Sequence, residues 1–277
     1  MNNFFQRALT GFFFVAILIG CIAWNYYSFA TLFLIITVFG LWEFYSLVEK
    51  ENIHPQKFVG IIIGALMFGL ISMRFANHLF LAILLFVAIL PIIFSIFIFE
   101  LFRKKEKPFA NIAYTFLGIL YVAIPFTLWN LLAVTTEYHQ FSKILLGYFF
   151  LMWTNDTGAY LCGRAFGKHK LFERISPKKT WEGFIGGFFL CMGIAFLIAH
   201  YFTIITLINW LIIASIVSII GTLGDLVESL FKRSINVKDS GNILPGHGGI
   251  LDRFDAVLIS TPFVLAYIVY LLTILKI

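Results

Sequence analysis

Residues 184–222 read FIGGFFLCMGIAFLIAHYFTIITLINWLIIASIVSIIGT and contain no Asp, Glu, Lys or Arg. About 20 apolar helical residues cross the hydrocarbon core of a bilayer. This stretch therefore holds two crossings, 184–202 and 204–222. Inside lipid a segment must satisfy its own backbone N–H and C=O groups, so both crossings are expected to be helices. Working outward, similar apolar runs recur at 8–26, 28–47, 58–73, 79–101, 110–134, 143–162 and 255–275. The predicted fold is all-α: a polytopic transmembrane bundle of about nine spanning helices. Two joins, Trp24 to Ser28 and His200 to Asn209, rest on a few residues each. With 61% hydrophobic and 12% charged residues among 277, the chain lacks the polar surface of a water-soluble globule.

The cations mark the sides of the membrane. Arg7, Lys50, Lys57, Arg103, Lys104, Lys105 and Lys107 fall on one side of a nine-span path. So do Arg164, Lys168, Lys170, Arg174, Lys178, Lys179, Lys232, Arg233, Lys238 and Arg253, making 17 of the 20 Lys and Arg residues. Arg74, Lys143 and Lys276 fall on the other. The positive-inside rule then puts the N-terminus and the large polar loops in the cytoplasm and the C-terminus outside. A net charge of +6 would suggest nucleic acid as a partner for a soluble protein. Here the cations follow the topology, and no nucleic acid is expected.

Cys21, Cys162 and Cys191 are widely separated, which argues against a disulfide framework or a zinc site. The LIGC stretch at 18–21 has the form of a lipoprotein cleavage box. The residues after it remain apolar and enter a second span, so the first segment reads as a retained helix.

Residues 1–150 carry six of the fourteen acidic residues in short loops and read as a transmembrane scaffold. Residues 151–277 form the expected catalytic region, with motif loops at 153–183 and 221–256. In the first, Asn155 and Asp156 arise while the chain is still apolar. A carboxylate there is costly unless paired, hydrogen-bonded or metal-bound, although a helix-capping Asp is the simpler alternative. Further on, Ser176, Pro177, Lys178, Lys179 and Thr180 gather hydroxyls and cations suited to phosphate oxygens. A Lys pair beside a membrane is also an ordinary topology or anionic-lipid signal.

The second loop carries two carboxylate pairs at i, i+3 spacing, Asp225 with Glu228 and Asp252 with Asp255. On a helix each pair faces one way. Four carboxylates at neighbouring helix ends repel unless a cation lies between them, and hard oxygen ligands favour Mg²⁺. Caps and ion pairs with Lys232, Arg233 and Arg253 are the alternative. Between the pairs, Leu244-Pro245-Gly246-His247-Gly248-Gly249 can turn sharply and present N–H groups to an anion. His247 could be a base, a phosphate donor or simply structural.

Taken together, Ser229, Lys232, Arg233, Lys238, Asp239, Pro245, His247, Gly248, Gly249, Asp252, Arg253 and Asp255 resemble the signature of phosphatidate cytidylyltransferases. Asn155-Asp156, Gly163, Phe166-Gly167, Ser176 to Thr180 and Glu182-Gly183 are similar to an earlier motif of that family. The two motifs cover about a third of the chain, in the family's order. The resemblance implies a multi-pass enzyme of the bacterial inner membrane, active on its cytoplasmic face. It would join CTP to phosphatidic acid using Mg²⁺, with a monovalent cation such as K⁺ as an addition. Membrane lipids would surround it, and a homodimer is compatible with the family. Asp225, Asp252 and Asp255 would be metal ligands, joined by Asp156 and Glu228, with Lys232 and Ser229 also catalytic. Ser176, Lys178, Lys179, Thr180, Arg233, Lys238, His247, Gly248, Gly249, Arg253 and Asn155 would bind substrate.

Two other classes compete. A secondary transporter would carry polar residues near midplane on several helices, whereas the first half offers little beyond Glu43 and Glu100. A CDP-alcohol phosphotransferase would need its own spaced aspartate motif, which is not found in the sequence.

Overall fold

The computed structural model describes residues 3–72, 79–241 and 248–275. Each apolar run becomes helical: α1 Asn3–Trp24, α2 Tyr26–Val48, α3 Lys57–Ser72, α4 Leu79–Arg103, α5 Pro108–Gly118, α6 Ile124–Thr135, α7 Tyr138–Phe166, α8 Trp181–Tyr201, α9 Leu207–Ser234 and α10 Leu251–Leu275. A hairpin of β1 Lys170–Phe172 and β2 Ser176–Thr180, antiparallel, interrupts them between α7 and α8. Among the described residues, five helical stretches are long and apolar enough to cross a membrane: Tyr26–Glu51, Pro108–Thr135, Trp181–Tyr201, Leu207–Ser234 and Leu251–Thr273. Two shorter apolar helices, Leu9–Trp24 and Lys57–Ser72, accompany them. The chain is an all-α membrane protein. Arg74, Lys276 and the loop residues 242–247, including Pro245 and His247, lie outside the described residues.

Both ambiguous joins are breaks. Asn25 caps α2 by accepting the Ser28 N–H at 2.9 Å, and the Ser28 hydroxyl returns to the Asn25 backbone N–H, a reciprocal capping box. At the other join the turn after Tyr201 is held by the Trp210 indole N–H, which donates to the Phe202 carbonyl at 3.2 Å.

The chain forms two compact units: residues 1–138 with 235–253, and residues 139–234 with 254–277. The expected division at residue 150 differs from this one because residues 235–253 pack with the N-terminal helices. In the first unit, α5 runs into α6 through a π turn at Ile119–Ala123. Pro125 has no N–H for the helical ladder, and the turn before it widens. Asn130 ties the unit together, donating to the Phe68 carbonyl and the Ser72 hydroxyl at 2.8 Å each and accepting from the Tyr26 hydroxyl at 3.0 Å. In the second unit, α7 and α8 meet through small residues. A Cβ on Gly187 would stand 2.7 Å from the Asn155 carbonyl oxygen, so only glycine permits this approach.

The two motif loops are shorter than expected. Residues 153–166 continue α7, 221–234 continue α9, and 251–256 begin α10. The true connection in the first motif is 167–180, most of it the hairpin. Polar residues at the end of an apolar helix need not leave the helix when they face a polar cavity. The backbone ladder then stays satisfied while the side chains reach the cavity.

Candidate active site

Within the second unit, a cavity of about 380 Å³ opens between α7, the hairpin, α8 and α9. Among the α7 side chains that line it, with Asn155, are Asp156, Tyr160 and Arg164. They recur at every fourth position, which sets them on one helix face. From β2 come Lys178, Lys179 and Thr180, and from α9 come Thr222 and Asp225.

Each functional side chain has a local reason for its place. Thr180 caps α8 by accepting the Gly183 N–H at 3.2 Å. One residue into the same helix, Glu182 accepts the Lys168 and His169 N–H groups and contacts the His169 ring at 2.6 Å. These contacts fasten the base of the hairpin and so aim Lys178 and Lys179 into the cavity. The Lys179 ammonium lies 2.6 Å from the Asp225 carboxylate, whose other oxygen accepts the Ser229 hydroxyl at 3.3 Å. One turn along α9, Glu228 is buried and pairs with Lys232 at 2.5 Å, the i, i+4 ion pair anticipated as the alternative to a metal role. Asn155 is buried beside the cavity and accepts the Ser218 hydroxyl at 2.6 Å. Its neighbour Asp156 is exposed to the cavity instead.

Asp255, on α10, interacts electrostatically with Asp225, Glu228 and Asp156. Its Oδ1 accepts the Ala256 N–H at 2.7 Å. Asp255 thus feels three other carboxylates, of which Asp225 and Glu228 are paired with Lys179 and Lys232. This all-oxygen, net negative donor set suits a hard divalent cation. Among the described residues, however, no three His, Cys, Asp or Glu side chains converge into a ligand shell in this conformation. Lysine ammonium groups sit against Asp225 and Glu228 instead.

The first unit holds Lys238, Gly248, Gly249, Asp252 and Arg253. Asp252 accepts the Ser240 N–H at 3.0 Å and the Gly249 N–H at 2.8 Å. The Gly249 N–H, expected to face an anion, is therefore taken by a carboxylate. Gly248 has φ +80, a backbone that glycine adopts without strain. Lys238 and Arg253 are exposed, as is Arg233 at the end of α9 in the second unit, and Ser176 is half-buried in the hairpin. His247 lies outside the described residues. Reading by residue type missed Tyr160 and Arg164, although the spacing 156, 160, 164 was there to find. It also treated Glu43 as incidental, and nothing near Glu43 in sequence marks it.

Fold and cavity together define a membrane-embedded enzyme suited to phosphate groups. The chain belongs to the cytidylyltransferase family, which it matches over residues 5–271, and it is a nucleotidyltransferase. Phosphatidate cytidylyltransferase of Staphylococcus aureus (strain COL) is 39% identical over 223 residues, covering 78% of this chain and 83% of that relative. The protein of the same name from Staphylococcus saprophyticus is 40% identical over 226 residues, covering 80% of this chain and 85% of the relative. That from Staphylococcus epidermidis (strain ATCC 35984) is 37% identical over 221 residues, covering 78% and 83%.

Proposed function

We propose that this protein transfers the cytidylyl group of CTP to phosphatidic acid, yielding CDP-diacylglycerol and pyrophosphate. The observation that carries the reading is the single cavity in which Lys178, Lys179 and Arg164 face Asp156 and Asp225. The names of the staphylococcal relatives support the choice of substrates. We further propose about nine spans with the N-terminus in the cytoplasm. The site would then face the cytoplasm, where CTP is available, at the bacterial inner membrane. The charge asymmetry of the sequence supports this orientation.

In the reaction, an oxygen of the phosphate monoester attacks the α-phosphorus of CTP. The bond from that phosphorus to the bridging oxygen breaks, and pyrophosphate leaves with the electron pair. The nucleophile is already anionic, so the protein's work is to bring two polyanions together and neutralise charge as it builds. Lys178, Lys179 and Arg164 would neutralise phosphate oxygens inside the cavity, with Lys232, Arg233, Lys238 and Arg253 as further cations. Ser176, Thr180 and Ser229 would donate hydrogen bonds, and Asn155 would orient through its amide. Asp225 and Asp255, with Asp156, Glu228 and Asp252, would hold Mg²⁺ and a monovalent cation. Bound metal would supply Lewis-acid stabilisation of phosphate charge. Asp252 already accepts two N–H groups, and a carboxylate has further lone pairs to offer. Release of Lys179 from Asp225 would leave its ammonium free for a phosphate. The acyl chains would stay among membrane lipids while the head group reaches the cavity.

Pyrophosphate release by the purified protein in detergent, given phosphatidic acid, Mg²⁺ and each nucleoside triphosphate in turn, tests the reading. Release is expected only with lipid and CTP together, and chelation should abolish it. A folded sample that releases nothing, with or without K⁺, refutes the assignment.

A further inference from the structure

Glu43 lies in the last turns of α2 and is only 4% exposed. Its carboxylate accepts the Ser240 hydroxyl and, at 2.7 Å, the Ile250 N–H. Ser240 is shared: its hydroxyl goes to Glu43 and its N–H to Asp252, which also takes the Gly249 N–H. Two carboxylates thus grip the motif segment at both its ends, Ser240 on one and Gly249-Ile250 on the other.

The seating is close. A Cβ on Gly249 would fall on the Glu43 carboxylate, and one on Gly241 would stand 3.1 Å from its carboxyl carbon. Gly241 and Gly249 are thereby explained by Glu43, without recourse to a phosphate. A carboxylate buried in an apolar bundle is costly and persists only where its partners satisfy it. The partners here, Ser240 and Ile250, both belong to the motif segment.

We propose that Glu43 is a positioning residue of the catalytic machinery. It fixes the backbone at 240 and 249–250 and, through that backbone, the direction of the Asp252 carboxylate and the start of α10. What Asp252 then does rests on the cytidylyl-transfer reading, whereas what Glu43 holds does not.

The test compares the parent with Glu43→Ala, Glu43→Gln and Ser240→Ala in one detergent, by pyrophosphate release and by amide hydrogen exchange. Glu43→Ala lowers kcat on the order of 10- to 100-fold, as expected for misplaced catalytic groups, and leaves KM for phosphatidic acid little changed. Exchange rises at Ser240, Gly249 and Ile250 while the amides of α7 to α9 keep parental protection. Glu43→Gln retains a carbonyl acceptor and recovers part of kcat. Ser240→Ala, which removes one of the two contacts, gives a smaller loss. Parental kcat together with parental exchange in Glu43→Ala overturns the proposal. So does exchange that rises equally in every helix, since Glu43 would then be an ordinary core group. A parent that releases no pyrophosphate indicts the cytidylyl-transfer reading instead, and the exchange comparison still decides what Glu43 holds.

Discussion

Glu100 and Asp225 are both carboxylates near the ends of apolar helices, yet their surroundings differ in kind. Glu100, in the first unit, accepts from the Gln56 amide at 2.8 Å, the Asn111 amide at 2.7 Å and the Arg103 guanidinium at 2.9 Å, with its side chain 2% exposed. Its partners come from α4, α5 and the residue just before α3, so the network knots that unit together. Asp225, in the second unit, meets one lysine and one serine, and its side chain is 34% exposed at the wall of a cavity. A closed network of fixed donors stabilises a fold. A carboxylate held by a single flexible ammonium and open to a cavity is ready to exchange partners. Burial of charge alone does not separate structure from function. The number and stiffness of the partners do.

The comparison is broken most severely by neutralising the cavity side. Asp255→Asn and Asp225→Asn are each expected to lower turnover on the order of 10³-fold with parental elution and thermal midpoint in detergent. Near-parental pyrophosphate release from both would remove them from the chemistry. Next in size, Lys179→Ala should lower kcat/KM for CTP by about 10- to 100-fold, with less effect on thermal stability. Equal activity and equal stability would relegate this lysine to a topology signal.

The structural side should answer in the opposite currency. Glu100→Ala strands the Gln56 and Asn111 amides and the Arg103 guanidinium, and is expected to cost about 3 kcal/mol of stability. Turnover per folded molecule should remain near that of the parent. A loss of turnover without a loss of thermal stability would erase the contrast with Asp225. Gly187→Val pushes a side chain toward the Asn155 carbonyl and should cost about 2 kcal/mol, seen as a lower thermal midpoint. The smallest change is Tyr45→Phe, which removes the 2.8 Å hydrogen bond to the Thr115 carbonyl and about 1 kcal/mol with it. An unchanged midpoint would mean that the phenol is satisfied otherwise.

Much of the architecture was legible because lipid imposes a simple rule on the chain. The run at 184–222 could only be two helices, whereas the break between α1 and α2 rested on a few residues until the structure showed Asn25 capping α2 through Ser28. Asp156, Lys178, Lys179, Thr180 and Asp225 could be picked out by residue type, and the structure brings all five to one cavity. The helical continuation of the motifs past Trp153 and Gly221 was not legible. A polar stretch reads as a loop until the cavity that accepts its side chains is known. Tyr160 and Arg164 carried a spacing signal, but one weak enough to pass for the end of a span.

Apolar length and two long motifs determined by themselves that the chain is a helical membrane protein, and the motifs pointed to phosphate chemistry in its second half. Those properties are local, because the bilayer makes each helix satisfy its own backbone. Only the tertiary structure decided which charges meet: Lys179 on Asp225 rather than free, Asp252 on backbone N–H groups, and Glu43 against Ser240, almost two hundred residues away in the chain. Partners at such separation leave no periodicity and no spacing to read. The choice among them is made by packing, which brings together groups that the sequence keeps apart.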